Sequence, residues 1–469
     1  MTASPFTTLE RELGAVVGAQ HVSPPAISDL EDATRWTGLR GNADAVVRPG
    51  NAEQVAAAVR WCYDHDMPIT VRGGGTGLSG GAVPEGGIVL SLERLNRIRT
   101  MEPEWWRCEV EAGVTTEALQ RRVREAGLRY PPDPGAGEVS HIGGNLATNA
   151  GGPHAFGHGV TRAWVLGVEA VLAPGELVHL GGPTRKDVAG YDLTSLLVGS
   201  EGTLGVITAA WLRLIPPPGA EQTVIGLFPS LASAQAGIGG ALTCGAVPVA
   251  LELLDGGALQ DAGATLPVQD AAAEWSHLTD PTHAAVLIAH LEGDLAEATA
   301  ARGDALVDTW QEAGATWTAV PSAASSSALA TWRDSVSGAV AARRGGKLSE
   351  DVAVPTDRVA ELLEGSAAIA RRHGLEHAAW GHAGDGNLHC SFLLDPTSPE
   401  RRAQAADAAD ELFSLAIALG GTISGEHGLG RLKSGHLSAQ WDPAAVAAHQ
   451  AIKAALDPKG LLNPGRKVA

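Results

Sequence analysis

The stretch Pro68-Ile69-Thr70-Val71-Arg72-Gly73-Gly74-Gly75-Thr76-Gly77-Leu78-Ser79-Gly80-Gly81 runs a short apolar segment into six glycines within nine positions. Ile69 to Val71 carries β-branched side chains, the composition of a buried strand. Glycine has no Cβ, so its N–H can approach a ligand closely and turn toward it. Several such groups aimed at one point make an anion nest, which suits a diphosphate. Gly75-Thr76-Gly77-Leu78-Ser79-Gly80 also fits G-x-G-x-x-G, a dinucleotide fingerprint that requires a helix opening at its last glycine. Here Ala82-Val83-Pro84-Glu85-Gly86-Gly87 follows, and then a second strand-like run from Ile88 to Leu92. A Rossmann domain, and NAD with it, is therefore set aside in favour of strand, glycine loop, strand.

At 469 residues the chain exceeds one compact core, and two or three domains are expected. Hydrophobic content of 44% and charged content of 19% are those of a globular protein. The formal charge of −19 comes with no basic run, which argues against nucleic acid as a partner. No apolar stretch is long enough for a transmembrane segment. Met1-Thr2-Ala3-Ser4-Pro5 lacks the basic start and apolar core of a signal peptide. Cys62, Cys108, Cys244 and Cys390 form no C-x-x-C pair, which speaks against an iron–sulfur cluster or cysteine zinc site in this chain. Reduced thiols in a cytoplasm are the expectation.

Outward from the glycine loop, helices are expected over Leu9 to Val17 and over Glu53 to Asp64, with a strand at Val46-Val47-Arg48-Pro49 between them. Cys108 to Ala112 reads as a strand, and Thr115 caps a helix in which Leu119 and Val123 share a face. Tyr130-Pro131-Pro132-Asp133-Pro134-Gly135 is neither helix nor sheet. Ser140-His141-Ile142-Gly143-Gly144-Asn145-Leu146-Ala147-Thr148-Asn149-Ala150-Gly151-Gly152 is a second glycine-rich block, and Val198-Gly199-Ser200-Glu201-Gly202-Thr203-Leu204-Gly205-Val206-Ile207-Thr208 a third. The blocks differ in sequence, so they are walls of one extended ligand site rather than repeats. Leu214-Ile215-Pro216-Pro217-Pro218 marks a boundary. Beyond it strands at Thr223 to Phe228, Val247 to Leu254, Ala285 to Leu291 and Asp351 to Val354 alternate with helices over 294–314, 327–343, 357–373 and 398–419, an α+β pattern.

The glycine loop, Pro131-Pro132-Asp133-Pro134, Ile142-Gly143-Gly144-Asn145 with Thr148-Asn149-Ala150-Gly151-Gly152, Gly190-Tyr191-Asp192-Leu193 and Gly199-Ser200-Glu201-Gly202-Thr203-Leu204-Gly205 occur in one order. Together they resemble the FAD-linked D-2-hydroxy-acid dehydrogenases, which include D-lactate dehydrogenases, glycolate oxidase subunits and D-2-hydroxyglutarate dehydrogenases, within the vanillyl-alcohol oxidase and p-cresol methylhydroxylase (PCMH) superfamily. The resemblance covers residues 40–469. It implies an N-terminal segment (1–40), a PCMH-type FAD-binding domain (41–217), an α+β, ferredoxin-like substrate or cap domain (218–440) and a C-terminal helical segment (441–469) that returns to the flavin. The FAD-binding residues it implies are Arg72, Gly73, Gly74, Gly75, Thr76, Gly77, Leu78, Ser79, Pro132, Asp133, Ser140, Gly143, Gly144, Asn145, Thr148, Asn149, Gly151, Gly152, Glu201, Gly202, Gly205, Ile207 and Asn463. Thr76 stands where some relatives carry a flavin-linked histidine, so the FAD is expected to be non-covalent.

In the second half, Trp380-Gly381-His382-Ala383-Gly384-Asp385-Gly386-Asn387-Leu388-His389-Cys390 reads as a hairpin with His382 and His389 at its two strand ends. Two imidazoles that converge there need a third ligand to bind a metal, and Glu426, in Ser424-Gly425-Glu426-His427-Gly428, supplies a carboxylate. Such a set suits a divalent ion such as Zn²⁺, while the bland reading leaves both histidines as hydrogen-bonding turn residues. The resemblance favours the metal: it implies His382, His389 and Glu426 as ligands and His427 as general base. It also implies Arg333 as the substrate-carboxylate arginine and Lys347 as a lysine near substrate. The chemistry fits, because a metal stabilises a developing alkoxide, a histidine takes the proton, and a guanidinium holds a carboxylate.

The glutarate-oxidising relatives carry an asparagine two residues past the second histidine, where this chain has Ser391. D-lactate or glycolate is therefore expected first and D-2-hydroxyglutarate second. The electron acceptor is left open among a quinone, a cytochrome, an electron-transfer flavoprotein and a separate iron–sulfur subunit. The resemblance allows a homodimer, and a place in the cytoplasm or at the membrane periphery through the acceptor. Two readings of other classes compete: a zinc hydrolase built on His382, His389 and Glu426, and a flavin-binding subunit without turnover.

Overall fold

The computed structural model describes residues 5–266, 276–280 and 282–467. It divides into two units. The first comprises Met1–Gly152, Gly159–Pro217 and Glu426–Ala469, and the second Pro153–His158 and Pro218–Gly425.

The first unit holds two sheets. Helix α1 (Pro5–Val17), strand β1 (Ala45–Val47), helix α2 (Ala52–Asp64), β2 (Ile69–Arg72) and β3 (Ile88–Ser91) build the first. Asn51 caps α2 by accepting the Gln54 N–H, as its residue type predicts. Val22–Ser23 pairs antiparallel with β1, whereas β1 and β2 both run parallel to β3. Parallel neighbours are normally joined by a helix, yet Gly73–Gly87, which joins β2 to β3, contains none. Leu9, Leu13, Val17 and Val22 share a core with Val55, Val59, Ile69 and Leu90, so the N-terminal segment is part of this unit rather than a separate one. The second sheet contains β4 (Ile98–Glu102), β5 (Arg107–Glu111), β6 (Val165–Leu172), β7 (Glu176–Gly181) and β8 (Val206–Arg213), antiparallel in the order β4-β5-β8-β6-β7. Helix α3 (Thr116–Glu125), capped by Thr115, and the short α4 (Ile142–Thr148) pack their Leu119, Val123, Ile142 and Leu146 into its core.

In the second unit the strands are β9 (Ala220–Phe228), β10 (Ala250–Asp255), β11 (Ala285–Gly293), β12 (Trp317–Ala319), β13 (Gly346–Ala353), β14 (Glu376–His382) and β15 (Asn387–Leu394), all antiparallel in the order β12-β9-β11-β10-β14-β15-β13. Helices α5 (Leu231–Thr243), α6 (Gly256–Ala262), α7 (Ala296–Glu312), α8 (Ala323–Ala342), α9 (Val359–Arg372) and α10 (Pro399–Ala418) intervene. One sheet face buries Ile225, Leu254, Val286 and Ile288 against Leu259 of α6 and Leu329, Trp332 and Val336 of α8. On the other face the Trp310 ring of α7 meets Phe228 edge-on and donates its indole N–H to Gly237 O of α5.

Further expectations change. β10 begins at Ala250 rather than Val247, because Val247 sits at φ 48°, outside any strand conformation. Helix α5 was not expected, its three glycines weakening any helical reading; Gly237 is there because a Cβ would strike the Phe228 ring 2.6 Å away. The second unit ends at Gly425 rather than 440. Backbone N–H groups of Leu429 and Gly430 donate to the Glu201 carboxylate, and those of Arg431 and Leu432 to Ser79 O, which ties this segment into the first unit.

Candidate functional site

The glycine blocks of the first unit are close neighbours, but not every glycine faces a ligand. A Cβ on Gly74 would lie 2.0 Å from Val139 O, and one on Gly143 2.6 Å from the Ala112 Cβ, so these two let loops pack on each other. Gly73 lies against His141 and the Gly144 backbone, Gly152 against Asp133, Gly202 beside Val71, and Gly205 against Leu172. Gly75 and Gly202 both sit at φ 70°, where a side chain is strained. Gly77 and Gly144 differ. A Cβ on Gly144 would meet nothing within 4 Å and one on Gly77 only an Asp32 oxygen at 3.8 Å, which leaves open space in front of both. The second block folds there as α4, and Gly144 lies in its first turn.

Side chains sort the same way. Arg72 braces the loop, donating to Ser28 O at 2.6 Å and Ala82 O at 3.4 Å. Ser140 and Asn145 meet on Thr116 Oγ1, Thr148 donates to Gly144 O, and Asn149 ends α4 in the left-handed region, accepting the Arg162 N–H. Pro132 O accepts from Gln120, Gly151 is buried, and the Ile207 side chain belongs to the core. Thr76 is half-buried and Leu78 is 45% exposed. Glu201 is a strut rather than a reaching side chain: besides the two amides it lies 3.4 Å from Lys467 Nζ. Asn463 donates to Gly81 O and Glu201 O, while its Oδ1 is buried with no hydrogen-bond partner among the described residues. The same holds for His141 Nδ1, which the sequence reading passed over although it lies inside the second block. Open space at Gly77 and Gly144, with these two orphaned atoms, fits a bound cofactor.

His427 lies in this unit too. Ser79 Oγ donates to His427 O at 3.0 Å, and Gly430 approaches Ser79 so closely that a Cβ would sit 2.1 Å from its carbonyl oxygen. The 427–432 segment is therefore laid along the glycine loop. His427 Nε2 is 3.7 Å from Glu426 Oε1, and both side chains are largely buried.

The second unit gathers His382, His389, Arg333 and Lys347 on one sheet face. His382 ends β14 as expected, but His389 is the third residue of β15, opposite Trp380 rather than at the strand end. Their rings still meet edge-to-face at 5.6 Å. Arg333 of α8 is not an exposed helix charge: it ion-pairs with Glu252, at the centre of β10 and cross-strand from His382. His382 Nδ1 lies 2.5 Å from Glu252 Oε1. Burial raises the Glu252 carboxyl, but Arg333 and His382 outweigh it and hold it at about 2. An ionised Glu252 accepts from Nδ1, so in the neutral ring Nε2 is the nitrogen left to ligate, the arrangement of a metal-ligating histidine held by a carboxylate. That chemistry fits a metal at this edge. Glu252 is the residue the sequence reading missed.

Lys347 of β13 stands over the Trp380 ring at 4.0 Å and donates to Ser337 Oγ. Burial pushes its ammonium down to about 7. Ser391 is buried and donates to Ser349 Oγ at 2.9 Å. Asp351, opposite His389, accepts from Asn387 at 2.5 Å and from Ser424 at 2.9 Å.

Residues 43–181 match the family model of the FAD binding domain, and residues 217–467 that of the FAD linked oxidases, C-terminal domain. The chain is 36% identical over 438 residues to the glycolate oxidase subunit GlcD of Bacillus subtilis, covering 91% of this chain and 89% of that protein. It is 35% identical over 432 residues to the D-lactate dehydrogenase of Archaeoglobus fulgidus, covering 90% and 91%. Among solved structures, p-cresol methylhydroxylase superposes with a TM-score of 0.80 at 18% identity, over 99% of this chain and 97% of that one, a likeness of fold alone.

Proposed function

The chain belongs to the FAD-linked oxidases, and on that premise we propose that it oxidises a small D-2-hydroxy acid, D-lactate or glycolate before D-2-hydroxyglutarate, to the 2-oxo acid. The observation that carries the reading is the Ser79–His427 hydrogen bond, which seats a histidine against the glycine loop. When bound, non-covalent FAD supplies the two-electron acceptor, and a divalent ion such as Zn²⁺ supplies Lewis acidity at the substrate hydroxyl. His427 is assigned the proton of that hydroxyl, a task that imidazole performs near neutral pH. His382 and His389, with Glu426 as third ligand, would hold the metal, and Glu252 keeps His382 in the ligating tautomer. Lys347 supplies positive charge for the substrate carboxylate, as does Arg333. Ser391, where the glutarate-oxidising relatives carry an asparagine, favours the shorter acid. The relatives named glycolate oxidase and D-lactate dehydrogenase favour an oxidoreductase over a hydrolase, and the His427→Ala variant is what separates it from a turnover-free subunit. Electrons leave to a quinone, a cytochrome, an electron-transfer flavoprotein or an iron–sulfur subunit. Among the described residues, no helix is long and apolar enough to cross a membrane.

The test is anaerobic titration of the holoprotein with D-lactate, L-lactate and glycolate while the flavin band is followed. Bleaching by D-lactate or glycolate but not by L-lactate is expected; a band that none of them bleaches overturns the substrate assignment. His427→Ala should keep its FAD and lose turnover by about 10²–10⁴-fold, the range for a general base. Turnover equal to wild type removes His427 from the mechanism.

A further inference from the structure

The second unit carries a second histidine–carboxylate cluster, on the sheet face that also bears Glu252 and His382 but made of other residues. The short segment Pro153–His158, although it interrupts the first unit in sequence, packs in the second. It folds as one helical turn, with His158 N–H bonded to His154 O, so the two histidines lie on one side. β11 contributes His290 and Glu292, two residues apart and thus on one face of the strand. One donor atom from each of His154, His290 and Glu292 lies within 4.8 Å of the others. The His154 and His290 rings meet edge-to-face at 5.3 Å, and His158 Nε2 lies 2.9 Å from Glu292 Oε2.

Both halves of this cluster are fastened to one residue. Gly157 donates its N–H to Val249 O, and Val249 donates its own to His290 O. Gly157 has to be glycine there, since a Cβ would lie 2.6 Å from the Val249 Cα. On the adjoining side, the Phe156 ring fills the space that a Cβ on Gly384 would need. The turn is thus built into the sheet rather than resting on it. On the same strand face, Val286 and Ile288 belong to the apolar core, and the face turns polar only at His290. Cross-strand, Thr223 and Ala250 flank His290, and the exposed Glu221 lies opposite Glu292.

We infer that His154, His290 and Glu292 form a second divalent transition-metal site, with His158 as the fourth group, holding Glu292 or completing the shell. Imidazole and carboxylate donors in this ratio suit Zn²⁺, Co²⁺, Ni²⁺ or Cu²⁺ rather than Ca²⁺ or Mg²⁺, which take oxygen. Ligation at ~2.0–2.1 Å draws the donors closer than they stand, a movement within reach of side-chain torsions. The bound ion would clamp the 153–158 turn to β11. The inference stands apart from the hydroxy-acid reading and uses none of its residues.

Zn²⁺ binding to the full-length, tag-free flavoprotein tests it. The protein carrying His382→Ala and His389→Ala is stripped with chelator, equilibrated with micromolar Zn²⁺ and counted for metal per chain. One equivalent is expected to remain. Adding His154→Ala with His290→Ala should abolish it, and Glu292→Gln provides a milder variant should the alanines disturb folding. Loading with Co²⁺ should give ligand-field bands to the red of the flavin envelope that disappear with the same substitutions. No bound metal in the His382→Ala, His389→Ala protein, or an equivalent that survives both the alanines and Glu292→Gln, overturns the site.

Discussion

Glu252→Gln isolates what one buried carboxylate does. Glu252 is 5% exposed and lies between the Arg333 guanidinium and His382 Nδ1. Its carboxyl is held at about 2 against an ordinary 4.5, despite burial that acts in the opposite direction. At 1.36 kcal/mol per pH unit, that drop corresponds to about 3 kcal/mol of preference for the ionised form. Glutamine keeps the shape and removes the charge that Arg333 pairs with, while Asp334 stays 4.0 Å from that guanidinium, so the cost falls toward the lower end of the about 3–5 kcal/mol typical of breaking a buried pair. A loss of about 3 kcal/mol in a unit of roughly this size lowers Tm by about 6–12 °C. The glutamine amide can turn its NH2 as well as its oxygen to the imidazole, so the tautomer is no longer fixed and kcat/KM should fall about 10–100-fold. Differential scanning calorimetry and flavin-coupled turnover measure the two effects. Glu252→Asp, which keeps the charge, should recover more of both.

The pH dependence sharpens this test. Because the folded carboxyl titrates below its ordinary value, its contribution is fully present above about pH 4.5 and is lost as pH falls toward about 2. The Tm gap between wild type and Glu252→Gln should therefore be flat from neutrality to pH 4.5 and narrow below it. A Glu252→Gln protein that melts within a degree of wild type at neutral pH, with unchanged kcat/KM, refutes the account of Glu252 as a positioning residue.

Other sites give narrower expectations. Gly144→Ala adds a methyl to a helical residue that faces open space, so the apoprotein should be no less stable and gain up to about 1 kcal/mol. Its FAD occupancy, read from the flavin-to-protein absorbance ratio, should fall; undiminished occupancy would take Gly144 out of the cofactor cradle. Lys347 is cationic below about pH 7, so KM for the hydroxy acid should rise as pH climbs through that value. Lys347→Arg, which stays charged, should flatten that rise in an initial-rate profile, and an unaltered profile would place Lys347 away from the substrate carboxylate.

What the sequence made legible was local. Gly74, Gly75 and Gly80, at a close approach or at positive φ, leave little other choice of residue, so that much of the loop at 73–81 could be recognised position by position. The hairpin around Gly384-Asp385-Gly386 was equally visible, because its turn chemistry lies within a few residues. Glu252 was hidden by comparison. It sits in Ala250-Leu251-Glu252-Leu253-Leu254, which reads as an apolar strand, and its partners Arg333 and His382 lie far along the chain. A single charge in an apolar strand was nevertheless a signal, because a buried carboxylate needs a cation or a donor. Arg333 shows the converse: helical spacing could not tell a solvated guanidinium from one turned onto the sheet.

The glycine blocks also show why composition alone overstates a binding site. Gly74, Gly143 and Gly205 are required by the protein's own packing, and Arg72, Ser140, Asn145 and Glu201 spend their polar atoms on neighbouring chain. These residues shape the cradle without needing to touch what fills it. Substituting them should therefore unsettle the fold and cofactor retention together, whereas substituting Gly77 or Gly144 should separate the two. A residue's place in a motif and its contact with a ligand are different claims, and here the space in front of the Cα distinguishes them.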